Sequence, residues 1–335
     1  MEEEYMEEHV AKDFQQAHIE SAAEKFGVNP QSLKALDGFE NFIYEGDRDG
    51  KAVILRLSHS SKKNQQQVTS ELMFVHYLAE QGAGVAYPLE NRQGELICRI
   101  PIADGNYFSA VCFTKAEGEH PRGSALNDEL IQQWGAAMGK MHRLSQQYQA
   151  PNAYERMHWY DEIEVTNPAD FLPAGQEGVI ERMQQYTRTL KALPTNRQTY
   201  GVIHNDLHPG NFLFDGHKLT MIDFEDCVQM WYVSDMAISL FMSSVWPPNG
   251  LSREAFACQF WPVFLRGYRE QNEMPDEWVE KLPLFIKFRE LGQYVAMYRA
   301  CDMNNPPPWV AHFMNGRKER IEQDRPFFET HDWLK

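Results

Sequence analysis

The sequence predicts an α+β fold in two parts, a strand-rich first third followed by a helix-rich remainder. Three observations lead to this prediction. Most strand patterns lie within residues 39–114, and helical patterns dominate from residue 128 onward. Polar residues and turn formers collect between the two parts, at residues 114–123. A chain of 335 residues, 43% hydrophobic and 24% charged, is long enough for two domains or lobes.

The first part is predicted to combine two helices with four strands. Residues 10–26 form a helix that ends near Gly27. Within residues 39–58, "FIYEG" and "KAVILRL" flank the turn signal "DRDG", which predicts a strand, a turn and a second strand. In residues 65–81 the apolar side chains fall on one helical face. Two further strands are "ELICRIP" and "YFSAVCFT".

The second part is predicted to be mainly helical. In residues 128–148, six apolar side chains recur at the spacing of one helix face: Leu130, Trp134, Ala137, Met138, Met141 and Leu144. Four later segments are also predicted as largely helical, at 176–193, 234–245, 253–271 and 277–300.

Composition excludes several classes of function. A net charge of −16 is unfavourable for binding nucleic acid or an anionic membrane. The five cysteines are scattered and form no C-x-x-C pair, which argues against a disulfide framework or a structural zinc site. The acidic N-terminus does not resemble a signal peptide, and the apolar stretch 236–246 is too short to span a bilayer. We therefore expect a cytoplasmic protein.

The most informative stretch is "IHNDLHPGN" at residues 203–211, followed by the short apolar strand "LTMID". Asp206 and Asn211 are five residues apart, and Asp223 ends the strand. Phosphoryl transfer needs one carboxylate near the attacking hydroxyl, plus an amide oxygen and a second carboxylate to hold Mg²⁺. Between Asp206 and Asn211, a Pro-Gly pair would bend the chain back toward such a site.

These residues carry a resemblance to a known family. "HNDLHPGN" followed by "IDFED" resembles the catalytic and metal-binding signature of the aminoglycoside phosphotransferase and choline kinase group, small-molecule kinases with the protein-kinase fold. Other segments between residues 38 and 240 are also similar to that family: "GFENFIYEG" with "AVILRLS", "SELMFVHYLAEQG", "WGAAMGKMHRLS" and "VSDMAISL".

The resemblance implies a protein-kinase-like, two-lobed fold. The N-lobe, residues 1–116, would be a small antiparallel sheet with one helix that covers the nucleotide. The C-lobe, residues 117–335, would be larger and mainly helical. It would hold the catalytic loop, the metal site and the acceptor pocket.

Roles follow residue by residue. The resemblance implies that Asp206 is the catalytic base and that Asn211 and Asp223 are metal ligands. Arg56 takes the place of the protein-kinase strand lysine, and Glu71 is its charge partner on the following helix. The alternatives are a solvated strand arginine and a plain surface carboxylate. The nucleotide-binding set also includes Asn41 in the covering loop and the segment where the family's backbone meets adenine: Cys112, Phe113, Thr114 and Lys115.

Supporting residues surround this signature. His204 is expected to orient the catalytic loop through a hydrogen bond. For His208, a loop contact and a role in catalysis both remain open. Asp235 is expected to cap the helix at 236–245 and to brace the catalytic loop. The competing interpretation of His204, Asp206 and His208 is a hydrolase zinc site. No further His/Asp cluster in the sequence completes it, and it leaves the Pro-Gly-Asn segment without a purpose.

The predicted function is transfer of the γ-phosphoryl group of ATP to a hydroxyl of a small molecule, with Mg²⁺ as cofactor. Acids and aromatic residues near the C-terminal helices suit an amine-bearing acceptor such as an aminoglycoside, choline, ethanolamine or a homoserine-like compound. Glu225 and Asp226 are the candidate acceptor residues. The other acids and aromatics considered are Glu290, Asp302, Trp231, Tyr232, Trp246, Tyr294, Tyr298 and Trp309.

Two other functions remain open from the sequence. One is a nucleotide-binding pseudokinase scaffold, although such proteins typically lose the base or a metal ligand, and all three residues are present here. The other is a protein Ser/Thr kinase on the same fold. Only eleven residues separate Asp223 from Asp235, which leaves little room for a long activation segment.

Overall fold

The computed structural model describes residues 7–38, 40–330 and 332–334. The chain forms two compact units. One comprises the residues up to Glu117 together with Tyr148–Arg156, and the other comprises Gly118–Gln147 and Met157–Lys335. The first unit is built on an antiparallel sheet and the second is mainly helical, which confirms the predicted fold class.

Within the described residues, the first unit contains three α-helices and six strands. The helices are α1 (Glu8–Asp13), α2 (Gln16–Phe26) and α3 (Gln65–Glu80). The strands are β1 (Lys34–Leu36), β2 (Phe42–Arg48), β3 (Lys51–His59), β4 (Pro88–Leu89), β5 (Ile97–Pro101) and β6 (Tyr107–Thr114). They form one antiparallel sheet in the order β1-β2-β3-β6-β4, with β5 also paired to β6.

The predicted hairpin between β2 and β3 closes through a tight turn. Arg48 pairs with Lys51, and the two turn residues Asp49 and Gly50 have φ of 55° and 78°. Two consecutive positive φ angles are the requirement of the two-residue turn that matches the twist of a hairpin, and Asp-Gly is a favoured sequence for it. The "DRDG" signal therefore fixes the register of β3.

The predicted helix at 10–26 is in fact two helices. Phe14 lies between α1 and α2 with extended backbone angles, φ −80° and ψ 136°. Its ring stacks on Phe42 of β2 with 3.9 Å between ring centroids. Packing of this aromatic side chain against the sheet accompanies the break, which helical periodicity alone does not reveal. The end at Gly27 is correct, because Gly27 caps α2 in the left-handed conformation.

The second unit contains nine helices and four short strands within the described residues. The helices are α4 (Asp128–Ser145), α5 (Ile163–Thr166), α6 (Glu177–Lys191), α7 (Tyr232–Val245), α8 (Arg253–Arg269), α9 (Asp276–Val279), α10 (Leu282–Ala300), α11 (Pro308–Met314) and α12 (Arg317–Glu322). The strands are β7 (Tyr200–Ile203), β8 (Phe212–Phe214), β9 (Leu219–Met221) and β10 (Val228–Trp231).

The predicted segment 277–300 divides into α9 and α10. Pro283 lies in the first turn of α10, where its missing N–H costs no helical hydrogen bond, so a new helix begins there. The apolar stretch 236–246 lies largely within α7, whose side chains are almost all buried in the protein core. Among the described residues, no helix combines the length and the apolar character needed to cross a membrane.

The four short strands position the predicted catalytic residues. β7 pairs with β10, and β8 pairs with β9, both antiparallel. Residues 204–211 connect β7 to β8, and residues 222–227 connect β9 to β10. Both connections therefore start and end on paired strands.

Candidate active site

The catalytic loop, residues 204–211, is anchored by one buried carboxylate of α7. Asp235 accepts hydrogen bonds from the backbone N–H groups of His204 and Asn205, at 2.9 and 2.8 Å. A third bond, at 3.0 Å, comes from Nε2 of His142 on α4. Asp235 lies within the first turn of α7 and caps no helix, since α7 begins at Tyr232. The expected cap is therefore wrong, whereas the contact with the loop is present.

His204 uses both ring nitrogens within the protein. Nε2 donates to the carbonyl oxygen of Ile222 at 2.9 Å, and Nδ1 accepts from the backbone N–H of Asp206 at 3.3 Å. The ring is fully buried. A zinc ion would need one of these nitrogens, and the described residues contain no cluster of three or more metal-ligating side chains. The geometry therefore excludes the hydrolase zinc site at these residues.

Asp206 is surrounded by donors. Oδ1 accepts from Nη2 of Arg289 on α10. Oδ2 accepts from Nδ2 of Asn211 at 3.0 Å and faces Nε2 of His208 at 3.4 Å. Burial raises the pKa of Asp206, but the charges of His208 and Arg289 outweigh burial and hold the pKa well below its usual range. Asp206 is therefore ionised throughout the physiological range.

His208 makes a loop contact and also touches Asp206. Its Nδ1 accepts from the backbone N–H of Gly210 at 3.0 Å. A Cβ atom at position 210 would lie 2.7 Å from Cε1 of the ring, so a glycine lets the ring reach this position. The Pro-Gly pair thus has a local purpose, which is to seat the ring of His208 beside Asp206.

Asn211 and Asp223 are brought together by the β8–β9 hairpin. Phe212 pairs with Met221, and the N–H of Ile222 donates to the carbonyl oxygen of Asn211 at 3.0 Å. This pairing places Asn211 and Asp223 at the same end of the hairpin. Asp223 has an exposed side chain and a φ of 61°, a left-handed conformation that is uncommon for non-glycine residues and that aspartate adopts more readily than most.

The donor set at this end of the hairpin fits a hard divalent cation. Nδ2 of Asn211 donates to the carbonyl oxygen and to Oδ2 of Asp206, at 2.9 and 3.0 Å. These two bonds fix the amide so that its Oδ1 atom faces away from Asp206. An amide oxygen and one carboxylate are the few protein ligands that Mg²⁺ takes when phosphate oxygens and water complete its shell.

In the first unit, Arg56 and Glu71 form a buried ion pair. Nη2 of Arg56 lies 2.8 Å from Oε2 of Glu71, and the two residues are 5% and 1% exposed. The alternatives of a solvated strand arginine and a surface carboxylate are therefore wrong. The guanidinium also lies over the ring of Phe113, 5.6 Å from its centroid. The pair links β3 to α3.

The other predicted nucleotide-binding residues occupy different environments. Oδ1 of Asn41 accepts from Oγ of Ser58 at 2.6 Å, which ties the covering loop to β3. Cys112 is fully buried in the sheet core, and burial raises the pKa of its thiol to about 12. The backbone N–H groups of Thr114 and Lys115 donate to the carbonyl oxygens of Tyr87 and Ala52, at 2.9 and 3.3 Å. These two N–H groups already have partners within the first unit.

Two residues next to the catalytic loop were missed by the sequence analysis. Arg289 binds Asp206 and also donates from Nη1 to the carbonyl oxygen of Asn205 at 3.1 Å. Glu162, just before α5, accepts from Nδ2 of Asn205 at 3.1 Å. Burial, followed by the charges of Glu164 and Asp226, raises the pKa of Glu162 to about 8. No motif or spacing in the sequence marks either residue, because both come from segments remote from residues 204–211.

The predicted acceptor residues lie in several different environments. Asp226 is exposed and lies close enough to Glu162 to raise its pKa, whereas Glu225 is half-buried. Glu290 belongs to a different cluster, since its buried carboxylate is bound by Arg317 and Arg320. Trp231 and Tyr232 are buried core residues.

Comparison with known proteins now places the chain. A family model described as the phosphotransferase enzyme family matches residues 33–275. The chain belongs to this family. This phosphotransferase is 29% identical to amicoumacin kinase of Bacillus subtilis (strain 168), over 92% of each chain. It is 26% identical to homoserine kinase of Sinorhizobium medicae (strain WSM419), over 81% of this chain and 79% of that protein.

A solved structure extends the likeness to three dimensions. An amicoumacin kinase in complex with AMP-PNP, Ca²⁺ and Ami superimposes on the phosphotransferase with a TM-score of 0.90. The two are 28% identical, and the match covers 96% of this chain and 97% of that one. The predicted family, the kinase-like fold and the ATP-dependent transfer to a hydroxyl of a small molecule are thus confirmed. The relatives named here are small-molecule kinases and give no support to a protein kinase or a pseudokinase scaffold.

Proposed function

We propose that this phosphotransferase uses ATP and Mg²⁺ to phosphorylate a hydroxyl group on an amine-bearing small molecule. One observation carries the proposal. Glu162 accepts a hydrogen bond from Asn205, the residue before Asp206, and Arg289 donates to both Asn205 and Asp206, so that the two carboxyl groups belong to one hydrogen-bonded network. Asp206 would accept the hydroxyl proton, and Glu162 would hold the amine.

The chain's own residues suit the nucleotide and the metal. Arg56, held by Glu71, would face the phosphate oxygens with a fixed charge. Asn211 and Asp223 would hold Mg²⁺, with His204 and Asp235 fixing the loop that carries Asn211. The metal, when bound, would neutralise charge on the phosphates. The AMP-PNP and Ca²⁺ in the related amicoumacin kinase support a nucleotide and a divalent cation.

An amine on the acceptor is supported by the charges around Glu162. The charges of Glu164 and Asp226 raise the pKa of Glu162 and outweigh the lowering effect of Arg289, while Glu164 also pairs with Arg299 at 3.0 Å. A protonated amine would stabilise the ionised form of Glu162. Amicoumacin and homoserine, named by the relatives, are the first acceptors to consider.

Two further expectations remain proposals. We assign nucleotide covering to residues 1–116, and the catalytic loop, metal site and acceptor pocket to residues 117–335. We also propose a cytoplasmic location, which the five cysteines support because all are thiols outside disulfide bonds, and thiols persist in a reducing compartment.

The experiment is an ATP-consumption screen with Mg²⁺ against amicoumacin, homoserine, amino alcohols, aminoglycosides and neutral sugars. We expect turnover with an amine-bearing acceptor. Asp206→Asn should bind ATP normally and lose about 10²- to 10⁴-fold in turnover, because the amide cannot accept a proton. Near-wild-type turnover by this variant would remove Asp206 as the base. A best acceptor without an amine would contradict the role of Glu162.

A further inference from the structure

Arg289 makes the most direct side-chain ion pair with the proposed catalytic base. Two of its nitrogens bind the catalytic loop, Nη2 at Oδ1 of Asp206 and Nη1 at the carbonyl oxygen of Asn205, the latter at 3.1 Å. Arg289 lies on α10, 83 residues along the chain from Asp206. Its side chain is 16% exposed. A guanidinium has a planar fork of donors, so two contacts fix its orientation.

The contact leaves each oxygen of Asp206 with a different surrounding. Oδ1 accepts from Arg289, whereas Oδ2 accepts from Asn211 at 3.0 Å and faces His208 at 3.4 Å. An ionised carboxylate has about four lone-pair sites. With both oxygens bound, the carboxylate cannot rotate about its Cβ–Cγ bond, and the direction of its remaining lone pairs is fixed.

Stability alone does not explain an arginine at this position. The Nε atom of Arg289 is buried and has no hydrogen-bond partner among the described residues. An unsatisfied buried donor disfavours the folded state. Replacing both partners of a buried ion pair with apolar residues is often neutral or stabilising, whereas removing one partner leaves an unpaired charge. A contribution to stability is therefore not a sufficient reason for this ion pair.

We propose that Arg289 is a positioning residue for phosphoryl transfer, which fixes Asp206 so that its open lone pairs meet the attacking oxygen. The inference rests on the proposed role of Asp206 as the base. Arg289 need not touch the acceptor, since it acts through the orientation of the carboxylate. A displacement of the base by about 1 Å can cost on the order of 10²-fold in rate.

The test compares Arg289→Met, Arg289→Lys and Arg289→Ala with the wild type. Each is measured as Mg²⁺-dependent ATP hydrolysis by water, which needs no acceptor, and as transfer to the best acceptor of the screen. We expect kcat to fall about 10- to 100-fold in Arg289→Met. The KM for ATP should stay within about twofold, because Arg289 contacts no predicted nucleotide-binding residue. Arg289→Lys should be intermediate, since one ammonium group is a poor substitute for the fork.

Two controls separate positioning from folding. Lys287 lies on α10, the same helix as Arg289, but its 2.8 Å ion pair is with Asp324, away from the catalytic loop. Lys287→Met removes that ion pair and should leave kcat unchanged. Added guanidinium ion at millimolar concentration should raise kcat of Arg289→Ala and leave Lys287→Ala unaffected. Thermal unfolding should show that every variant is folded at the assay temperature, although Arg289→Met should unfold at a lower temperature than the wild type because ionised Asp206 loses its partner.

Three outcomes would overturn the inference: wild-type kcat in Arg289→Met, an equal loss in Lys287→Met, or a loss of kcat in Arg289→Met that tracks its loss of stability. The failure of the proposed function looks different. If the proposed role of Asp206 is wrong, the Asp206→Asn variant will be active. If Asp206→Asn is inactive while Arg289→Met is fully active, only the proposed role of Arg289 is refuted.

Discussion

Two carboxyl groups at the catalytic loop, those of Asp206 and Glu162, have pKa values shifted in opposite directions. Asp206 has a pKa held well below its usual range, whereas burial raises the pKa of Glu162 to about 8. Carboxyl groups of one site whose pKa values are shifted in opposite directions are common in active sites, where one group must be ionised and the other must be able to change its protonation state. At neutral pH, Asp206 is a carboxylate and Glu162 is largely a neutral acid.

Glu162 predicts a pH-dependent acceptor affinity. A protonated amine favours the ionised form of Glu162, so binding releases a proton when pH is below about 8. The KM for an amine-bearing acceptor should therefore fall as pH rises from 6.5 toward about 8.5, provided that the amine keeps its proton, as alkyl amines near pKa about 10 do. Glu162→Gln should abolish this dependence while the KM for ATP is unchanged.

A neighbouring acid supplies the matched control. The charge of Glu164 raises the pKa of Glu162, so Glu164→Gln should move the midpoint of the KM profile to lower pH without abolishing it. The folded-state pKa of Glu162 is raised, so the folded protein loses stability as pH climbs from 4.5 to about 8. Urea unfolding of Glu162→Gln should show that this loss is absent. A pH-independent KM in the wild type would contradict the assignment.

The limits of sequence prediction are visible at these residues. Asp206 and Asn211 are five positions apart, so one loop brings them together, and local spacing was sufficient. The Arg56–Glu71 pair was also anticipated, from the resemblance to the small-molecule kinase family. Glu162 and Arg289 reach the same loop from remote segments, through contacts that only the packed C-terminal helices create. The acids Glu225 and Asp226 were predicted because they are neighbours of Asp223 in sequence, and the charge of Asp226 does raise the pKa of Glu162.

At the scale of elements, the catalytic loop is a connection held by a helix. The short pairs β7–β10 and β8–β9 fix its ends, and α7 binds its middle. Oγ of Ser239 on α7 donates to the carbonyl oxygen of Leu207 at 2.7 Å, in addition to the contacts of Asp235. Asn205 adopts a φ of 68°, a strained conformation that these surrounding contacts must maintain. The sequence predicted α7 and β9, but the β7–β10 pairing is too short to be recognised by periodicity.

We predict that Asp235→Asn weakens both stability and catalysis. The buried carboxylate accepts three hydrogen bonds, and an amide nitrogen at one of its oxygen positions would face donors instead of accepting from them. An unsatisfied buried donor costs about 1–3 kcal/mol of unfolding free energy. Turnover should also fall, because the backbone of His204 and Asn205 loses its fixed geometry. Urea unfolding and steady-state kinetics measure the two effects.

Ser239→Ala is the control on the same helix. It removes one hydroxyl group and one hydrogen bond to the loop, and should cost only about 0.5–1.5 kcal/mol. A wild-type unfolding free energy in Asp235→Asn would show that α7 does not hold the loop through this carboxylate.

At the scale of the whole molecule, the chain must bind a nucleotide anion despite a net charge of −16. Summed over the surface, such a charge opposes the approach of ATP, and this opposition is strongest at low ionic strength. Of the predicted nucleotide-binding set, Arg56 is paired with Glu71 and Lys115 with Glu45. Positive charge for the phosphates would therefore come from the proposed metal, held by Asn211 and Asp223, in addition to Arg56.

The proposed metal site predicts how the stability of the whole protein responds to ligand. A ligand that binds only the folded state at about 100 times its Kd raises the unfolding free energy by about 2.7 kcal/mol. We expect Mg²⁺ with ATP to stabilise the wild type well beyond ATP alone. Asp223→Ala should lose this metal-dependent part, because the carboxylate is the charged ligand, while adenosine binding without metal is little changed.

Asp215→Asn provides the control, since Asp215 lies in the turn at the other end of the same hairpin and binds the backbone of His217 and Lys218. It should keep the full metal-dependent stabilisation. The difference between the two variants should be largest at low salt, where the charge of the chain is least screened. Thermal unfolding with ATP, with and without Mg²⁺, measures it, and calorimetric titration at two salt concentrations checks the affinities. If Asp223→Ala retains the whole effect of Mg²⁺, the metal ligands lie elsewhere, and the strained backbone at Asp223 needs a different explanation.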